Sequence, residues 1–254
     1  MGKRTTFDKE LRARPGLAFM STLLAVLLGL MTFASVILPV GAQAQNYGLQ
    51  FDGKDDFVGI DAAYPFEAFT IQVWVNPDFD TRNRAHVAFV RSCFVEPPKK
   101  GDIETSQNSF VLFQDKGYSP AWGMEVCNPG CTDVMADAQH QLTDREWQCI
   151  AVTFDGEQIF LYRNGEPAGE GSVSAGDIPT VLFTVIGRWV SSFNGMMGEA
   201  AMWTRALTQT EIEKTYACGV GMAQDGLFGF WKFDEGEGQL VTDSSGNSYT
   251  GYLG

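Results

Sequence analysis

Phe193-Asn194-Gly195-Met196-Met197-Gly198-Glu199-Ala200-Ala201-Met202-Trp203-Thr204-Arg205-Ala206-Leu207-Thr208-Gln209-Thr210-Glu211-Ile212-Glu213-Lys214-Thr215-Tyr216 carries a strand straight into a helix start. Thr208 is placed to cap the helix, and Glu211, three residues on, can reach back to the Thr208 N–H. Leu207 and Ile212 occupy the two staple positions around that cap. The spacing predicts a short helix over 209–217, with Gly219 beyond its end where positive φ is needed.

Upstream, little else has helical period. Phe69-Thr70-Ile71-Gln72-Val73-Trp74-Val75 alternates and stops at Asn76-Pro77, the pattern of a strand with one face on a core. Trp147 to Phe154 reads as another, followed by Asp155-Gly156, the strand Gln158 to Tyr162 and Asn164-Gly165. Both dipeptides favour tight hairpins. Val181 to Ile186 and Met197 to Trp203 continue a series of short strands with Gly-rich turns, which predicts an all-β sandwich or barrel. The stretch from about Arg91 to Asn108, centred on Pro97-Pro98-Lys99-Lys100-Gly101, reads as an exposed loop.

Residues 1–44 read as an export signal. Lys3, Arg4, Lys9, Arg12 and Arg14 precede an uncharged run from Leu17 to Leu38, and Ala42-Gln43-Ala44 is a small-x-small cleavage site that leaves Gln45 as the new N-terminus. The competing expectation is a retained membrane anchor, since the run is long enough to span a bilayer. Either way the remainder is expected to be secreted or held at the cell surface. Residues 45–254 keep 13 of the 18 basic and 29 of the 31 acidic residues, a formal charge of −16. That argues against a nucleic-acid partner, which needs clustered Lys and Arg.

All five cysteines, Cys93, Cys127, Cys131, Cys149 and Cys218, lie in the expected exported part. Cys127 and Cys131 flank Asn128-Pro129-Gly130, whose turn can bring them to bridging distance, and they are the expected disulfide. The pairing of the other three is left open by an odd count.

Four blocks carry a family resemblance: Leu49-Gln50-Phe51-Asp52-Gly53-Lys54-Asp55-Asp56-Phe57-Val58; Phe69 to Pro77; Trp147 to Gly165; and Ile186-Gly187-Arg188 with Phe193-Asn194-Gly195 and the helix. In this order they resemble LamG-like jelly-roll domains of the concanavalin A-like lectin/glucanase superfamily. The resemblance implies a jelly-roll β-sandwich with one short helix over 45–254. Phe228 to Phe233 with Glu235-Gly236 and Asp243-Ser244-Ser245-Gly246-Asn247 is similar to a further family block that in many relatives precedes the first. Residues 226–254 therefore either complete this sandwich or begin a truncated second repeat; an unpaired edge favours completion.

The resemblance implies binding of glycans or extracellular proteins, with a glycoside-active enzyme and a purely structural surface domain as alternatives. A retaining glycosidase needs two carboxylates about 5 Å apart, and no E-x-D run lies on an expected strand. His86 and His140 stand in no metal-binding spacing, so no catalytic residue is assigned. Trp122, Trp189 and Phe193, near expected turns, are the candidate sugar-facing aromatics; the competing expectation is that they pack the rim. Trp74, Trp147, Trp203 and Trp231 are assigned to the core. Calcium is the expected ion, held by Asp52, Asp55 and Asp56 in one turn. Family topology would place Glu199 nearby, where relatives usually carry an acidic pair and Met197-Gly198-Glu199-Ala200 retains one acid. Membrane contact is expected only through an uncleaved N-terminal segment.

Overall fold

The computed structural model describes residues 3–4, 48–64, 67–79, 87–93, 109–115, 120–127, 131–173, 181–188 and 192–254; the side chains of 3–4, 63–64, 87–93, 109–110, 127, 131 and 181–183 are not among them. The expected export segment beyond Lys3–Arg4, Trp189, and residues 94–108 of the stretch expected as a loop from about Arg91 lie outside the described residues, while 91–93 are the end of a strand rather than loop.

Two antiparallel sheets face each other. The first runs β1 (Lys3–Arg4), β2 (Leu49–Asp52), β13 (Asn194–Trp203), β4 (Phe69–Pro77), β9 (Gln148–Phe154), β10 (Gln158–Arg163) and β11 (Glu166–Ser172), with β14 (Leu227–Trp231) also on β13. The second runs β15 (Leu240–Val241), β16 (Gly251–Leu253), β3 (Val58–Tyr64), β12 (Val181–Ile186), β5 (Val87–Cys93), β6 (Ser109–Gln114), β7 (Trp122–Cys127) and β8 (Cys131–Met135).

Strand parity builds the core. Phe69, Ile71, Val73 and Val75 of β4 meet Ile150, Val152 and Phe154 of β9 and Val58, Ile60, Leu112, Met124 and Val134 across the sandwich. Each buried side chain of this size contributes about 1.5–3 kcal/mol. The other face of β4 is also covered, which is why the strand is buried at almost every position. There α1 (Gln209–Cys218) lies over Ala151, Tyr162, Ala201 and Trp203, with Leu207 and Ile212 in the same cluster. Polar groups meet across this contact: the Thr215 hydroxyl donates to Gln72 Oε1 at 2.7 Å, leaving Gln72 Nε2 buried without a partner among the described residues, and Thr70 Oγ1 receives the Leu207 N–H at 2.8 Å and donates to the Arg205 carbonyl at 2.8 Å.

The helix starts as its sequence predicts. Thr208 Oγ1 accepts the Glu211 N–H at 3.3 Å, and Glu211 Oε2 accepts the Thr208 N–H at 2.9 Å. Arg205 adds a forked contact to the same carboxylate, at 3.0 and 2.6 Å. Between β10 and β11, Asn164 and Gly165 both have positive φ, 53° and 83°, the conformation a two-residue hairpin demands.

Residues 227–254 contribute to both sheets. β14 pairs Ala200 to Trp203, while β2 pairs Asn194 to Met197 on the same side of β13, end to end. β16 pairs Val58 to Ile60 in the opposite sheet. Asp243 fastens this segment: its carboxylate accepts the N–H groups of Phe230, Ser245 and Tyr249 and the Ser245 hydroxyl, at 2.8–3.0 Å. Asn247 donates to the Leu227 and Phe228 carbonyls. Trp74, Trp203 and Trp231 are buried as assigned, whereas Trp147, assigned to the core, is only half-buried beside Gly48. Among the described residues, no helix is long and apolar enough to cross a membrane.

Candidate functional site

β2 ends at Asp52, Gly53 turns the chain with φ 74°, and β3 begins at Val58. In that turn one carboxylate oxygen from each of Asp52, Asp55 and Asp56 lies within 4.8 Å of the others. Asp56 is buried and its Oδ2 accepts the Asp52 N–H at 2.9 Å, so one acid is fixed by the backbone while Asp52 and Asp55 face solvent. Lys54 Nζ sits 3.0 Å from Asp52 Oδ2, and this hydrogen bond is the main reason that the Asp52 carboxyl is held below its ordinary range. The neighbouring segment buttresses the turn: Ser192 Oγ donates to the Lys54 carbonyl at 2.7 Å. Three hard oxygens at this spacing suit part of a calcium shell, whose six to eight ligands would include water and carbonyls.

Glu199 does not belong to that group. The register puts Asn194 opposite Asp52, so Glu199 lies five residues further along β13, about 16 Å away at strand rise. It stands instead at the break in pairing between Met197 and Ala200, on the side of the sheet where its charge acts on the buried Cys149 thiol. Burial, with a smaller contribution from Glu199, pushes that thiol well above its ordinary pKa.

Two of the expected sugar-facing aromatics offer no face to a ligand. Trp122 is fully buried with Met124 and Val126, which share its strand parity, and its Nε1 donates to the His140 carbonyl at 2.8 Å. Phe193 is also fully buried, edge-on to Phe51 at 5.7 Å. Closeness to a turn places a residue near the rim, but parity decides which way it points. Cys127 and Cys131 stand opposite each other in the β7–β8 register; their side chains lie outside the described ones. Cys149 and Cys218 are free thiols, one buried and one exposed.

A cleft of 330 Å³ opens beside the first turn of α1, on the outer face of β10 and β11. Phe160, Tyr162 and Pro167 supply its apolar wall; Asp137, Glu170 and Gln209 supply polar groups. Strand β10 positions the rings, because Ile159 and Leu161 enter the sandwich core and leave Phe160 and Tyr162 facing outward. Asp137 is anchored from two directions. Its N–H donates to the Ala168 carbonyl at 2.8 Å, and its Oδ1 accepts from the Gln139 and His140 N–H groups and lies 2.8 Å from His140 Nδ1. The His140 contact is the largest cause of an Asp137 pKa below the ordinary carboxylate range. Burial raises that of Tyr162, so its phenol is neutral at ordinary pH. None of these residues was singled out from sequence; two aromatics of one parity on Gln158 to Tyr162 were the available signal.

The conserved-domain description "concanavalin A-like lectin/glucanases superfamily" matches residues 51–213. No curated protein matches the chain. Among solved structures, a Bacteroides ovatus protein provisionally described as carbohydrate-binding aligns with TM-score 0.57 and 17% identity, over 82% of this chain and 61% of its own. A heptameric SAP-like pentraxin from Limulus polyphemus gives 0.54 and 16%, over 81% and 93%. The enzymatically active domain of tailspike protein 2 from bacteriophage CBA120 gives 0.54 and 13%, over 77% and 30%. The chain thus spans less than two thirds of the Bacteroides protein, and at these identities the likenesses show the fold. With two packed antiparallel sheets, one capped helix and a match over residues 51–213, the chain belongs to the concanavalin A-like lectin/glucanase superfamily.

Proposed function

We propose that the chain is a non-catalytic binding module for glycans that works outside the cytoplasm, with the cleft beside α1 as its ligand site. The observation that carries this is the cleft itself: the half-buried Phe160 ring and Pro167, with carboxylate and amide groups around them, are the elements that hold the apolar face and hydroxyls of a sugar. Its volume is at the small end of ligand pockets, about 300–1,000 Å³, which suits a short saccharide. The Bacteroides ovatus neighbour, provisionally described as carbohydrate-binding, points the same way. A glycosidase needs a carboxylic acid with a raised pKa. Among the described residues, the carboxyls with displaced titration, Asp52, Asp137, Asp155 and Glu211, are displaced downward.

Calcium belongs to the same proposal, at Asp52, Asp55 and Asp56 and without Glu199, as a stabiliser of the turn rather than a reagent. Export and a Cys127–Cys131 bridge complete it; an N-terminus at Gln45 and a Cys127–Cys131 link in non-reduced peptide maps are the expected readouts. A glycan array and a glycosidase panel, each with and without calcium, test the function. The expected result is retention of a defined set of glycans without hydrolysis, weakened by Phe160→Ala. Reproducible hydrolysis, or an array with no retained glycan, would overturn the reading.

A further inference from the structure

We propose that the cleft beside α1 selects ligands bearing a primary ammonium, an amino sugar in glycan form, over neutral and anionic ones; this rests on the glycan reading of that cleft. The charges lining it have one sign. Asp137 and Glu170 are its ionisable carboxylates, and among the described residues no Lys or Arg lines it. Gln209 adds an amide oxygen that can accept, while one of its two amide N–H groups is taken by Glu213 Oε1 at 3.0 Å. An ammonium offers three donors to this set of acceptors. The half-buried ring of Phe160 adds attraction for a cation over its face.

Asp137 is prepared for the role. Three donors from Gln139 and His140 converge on its Oδ1, fixing the carboxylate at the cleft edge. Among the described residues, His140 is the cation-forming group in contact with it, and it is held on Oδ1 by its own loop. An anionic ligand would face two carboxylates in a domain whose residues 45–254 carry a formal charge of −16. A hydroxyl or acetamide in place of the ammonium keeps the ring contacts but loses the charge.

The test is calorimetric titration of the full chain with four probes: the β-1,4-linked glucosamine trimer, its N-acetylated form, the matching glucose trimer and Nα-acetyl-lysine amide. The three trimers share ring and linkage and differ at one substituent. The glucosamine trimer is expected to bind about ten-fold tighter than the other two at low salt. That advantage should shrink in 1 M salt, where screening reaches ~3 Å. Glu170→Gln, at an exposed position, should weaken the glucosamine trimer about two- to five-fold, and by more than it weakens the other two. Equal binding of the three trimers, or binding of none of the four probes, would overturn ammonium selection; the first of these leaves the glycan reading standing. Lysine amide binding as tightly as the glucosamine trimer would keep the selection and remove the glycan reading.

Discussion

The turn Asp243-Ser244-Ser245-Gly246-Asn247 and the turn Asp52-Gly53-Lys54-Asp55-Asp56 draw on similar residues, yet their carboxylates meet different surroundings. Asp243 receives three backbone N–H groups and a hydroxyl, so its lone pairs are committed to fastening β14 and the chain beyond it. Asp52, Asp55 and Asp56 gather their oxygens within 4.8 Å with Lys54 as a nearby cation, and two of the three acids face water. Asp243 is spent on several backbone donors, whereas Asp52 and Asp56 take one backbone N–H each, and their convergence with Asp55 leaves room for a cation. Composition is blind to this difference, because donor geometry creates it.

The comparison breaks first at Asp243. Asp243→Ala strands three N–H groups, and at about 1 kcal/mol or more for each bond to a charged acceptor the loss is roughly 3–4 kcal/mol. For a domain of this size that is a melting temperature lower by about 6–16 °C. Asp55→Ala, at an exposed turn position, should lower calcium-free melting far less than Asp243→Ala does. A fall of less than about 2 °C for Asp243→Ala would show that the two turns are alike after all.

Calcium sharpens the contrast from the other side. At a hundred-fold excess over its dissociation constant it should add about 2.7 kcal/mol to stability, seen as a rise of roughly 5–10 °C. Chelator should reverse the rise, and Asp52→Ala with Asp55→Ala should abolish it. Glu199→Ala should not, given its distance along β13 from the turn. Melting curves indifferent to calcium would reduce these acids to turn formers.

The smallest effect comes from Glu211, a third kind of acid, clamped by Arg205 and by the helix start. Its pKa is lowered from 4.5 to about 2, first through the Arg205 hydrogen bonds and next through the Thr208 N–H. A carboxylate lowered on folding contributes stability above its unfolded pKa and loses it as pH falls through the folded value. The loss therefore falls between about pH 4.5 and pH 2, and screening at this partly exposed pair holds it to about 1–2 kcal/mol. Glu211→Gln should flatten that limb in acid denaturation curves. Asp52, lowered by Lys54 but nearly half exposed, should change the limb less. An acid limb unchanged by Glu211→Gln would show that the clamp adds nothing to stability.

Local chemistry was the most legible part of the sequence. The capping box of Thr208 and Glu211 spans four residues, and the observed helix Gln209–Cys218 exceeds the expected one by a single residue. Strands with strict alternation were equally readable. Side-chain direction at strand ends was not, because Trp122 and Phe193 were judged by their nearness to turns when parity with Met124 and Val126 already placed Trp122 inward. Glu199 failed for a tertiary reason: only the β2–β13 register fixes how far it stands from Asp52. The cleft needed more still, since the loop after β8, two strands and the first turn of α1 meet there from four parts of the chain. Asp243 was recognised as part of a block, but its work on the Phe230 and Tyr249 backbone shows only in three dimensions.

The pairing of β16 with β3 has a kinetic consequence. Gly251 meets Ile60 and Leu253 meets Val58, across about 190 residues of intervening chain. Sheets closed by such distant partners fold on the slower, millisecond-to-second scale, because loop closure precedes any return from pairing. A ribosome that has not yet released residues 251–253 therefore holds a chain whose β3 edge is still open, and such open edges seek partners in neighbouring chains. The sandwich is a structure completed after synthesis of these residues, and the interval before closure is when the chain most needs a chaperone.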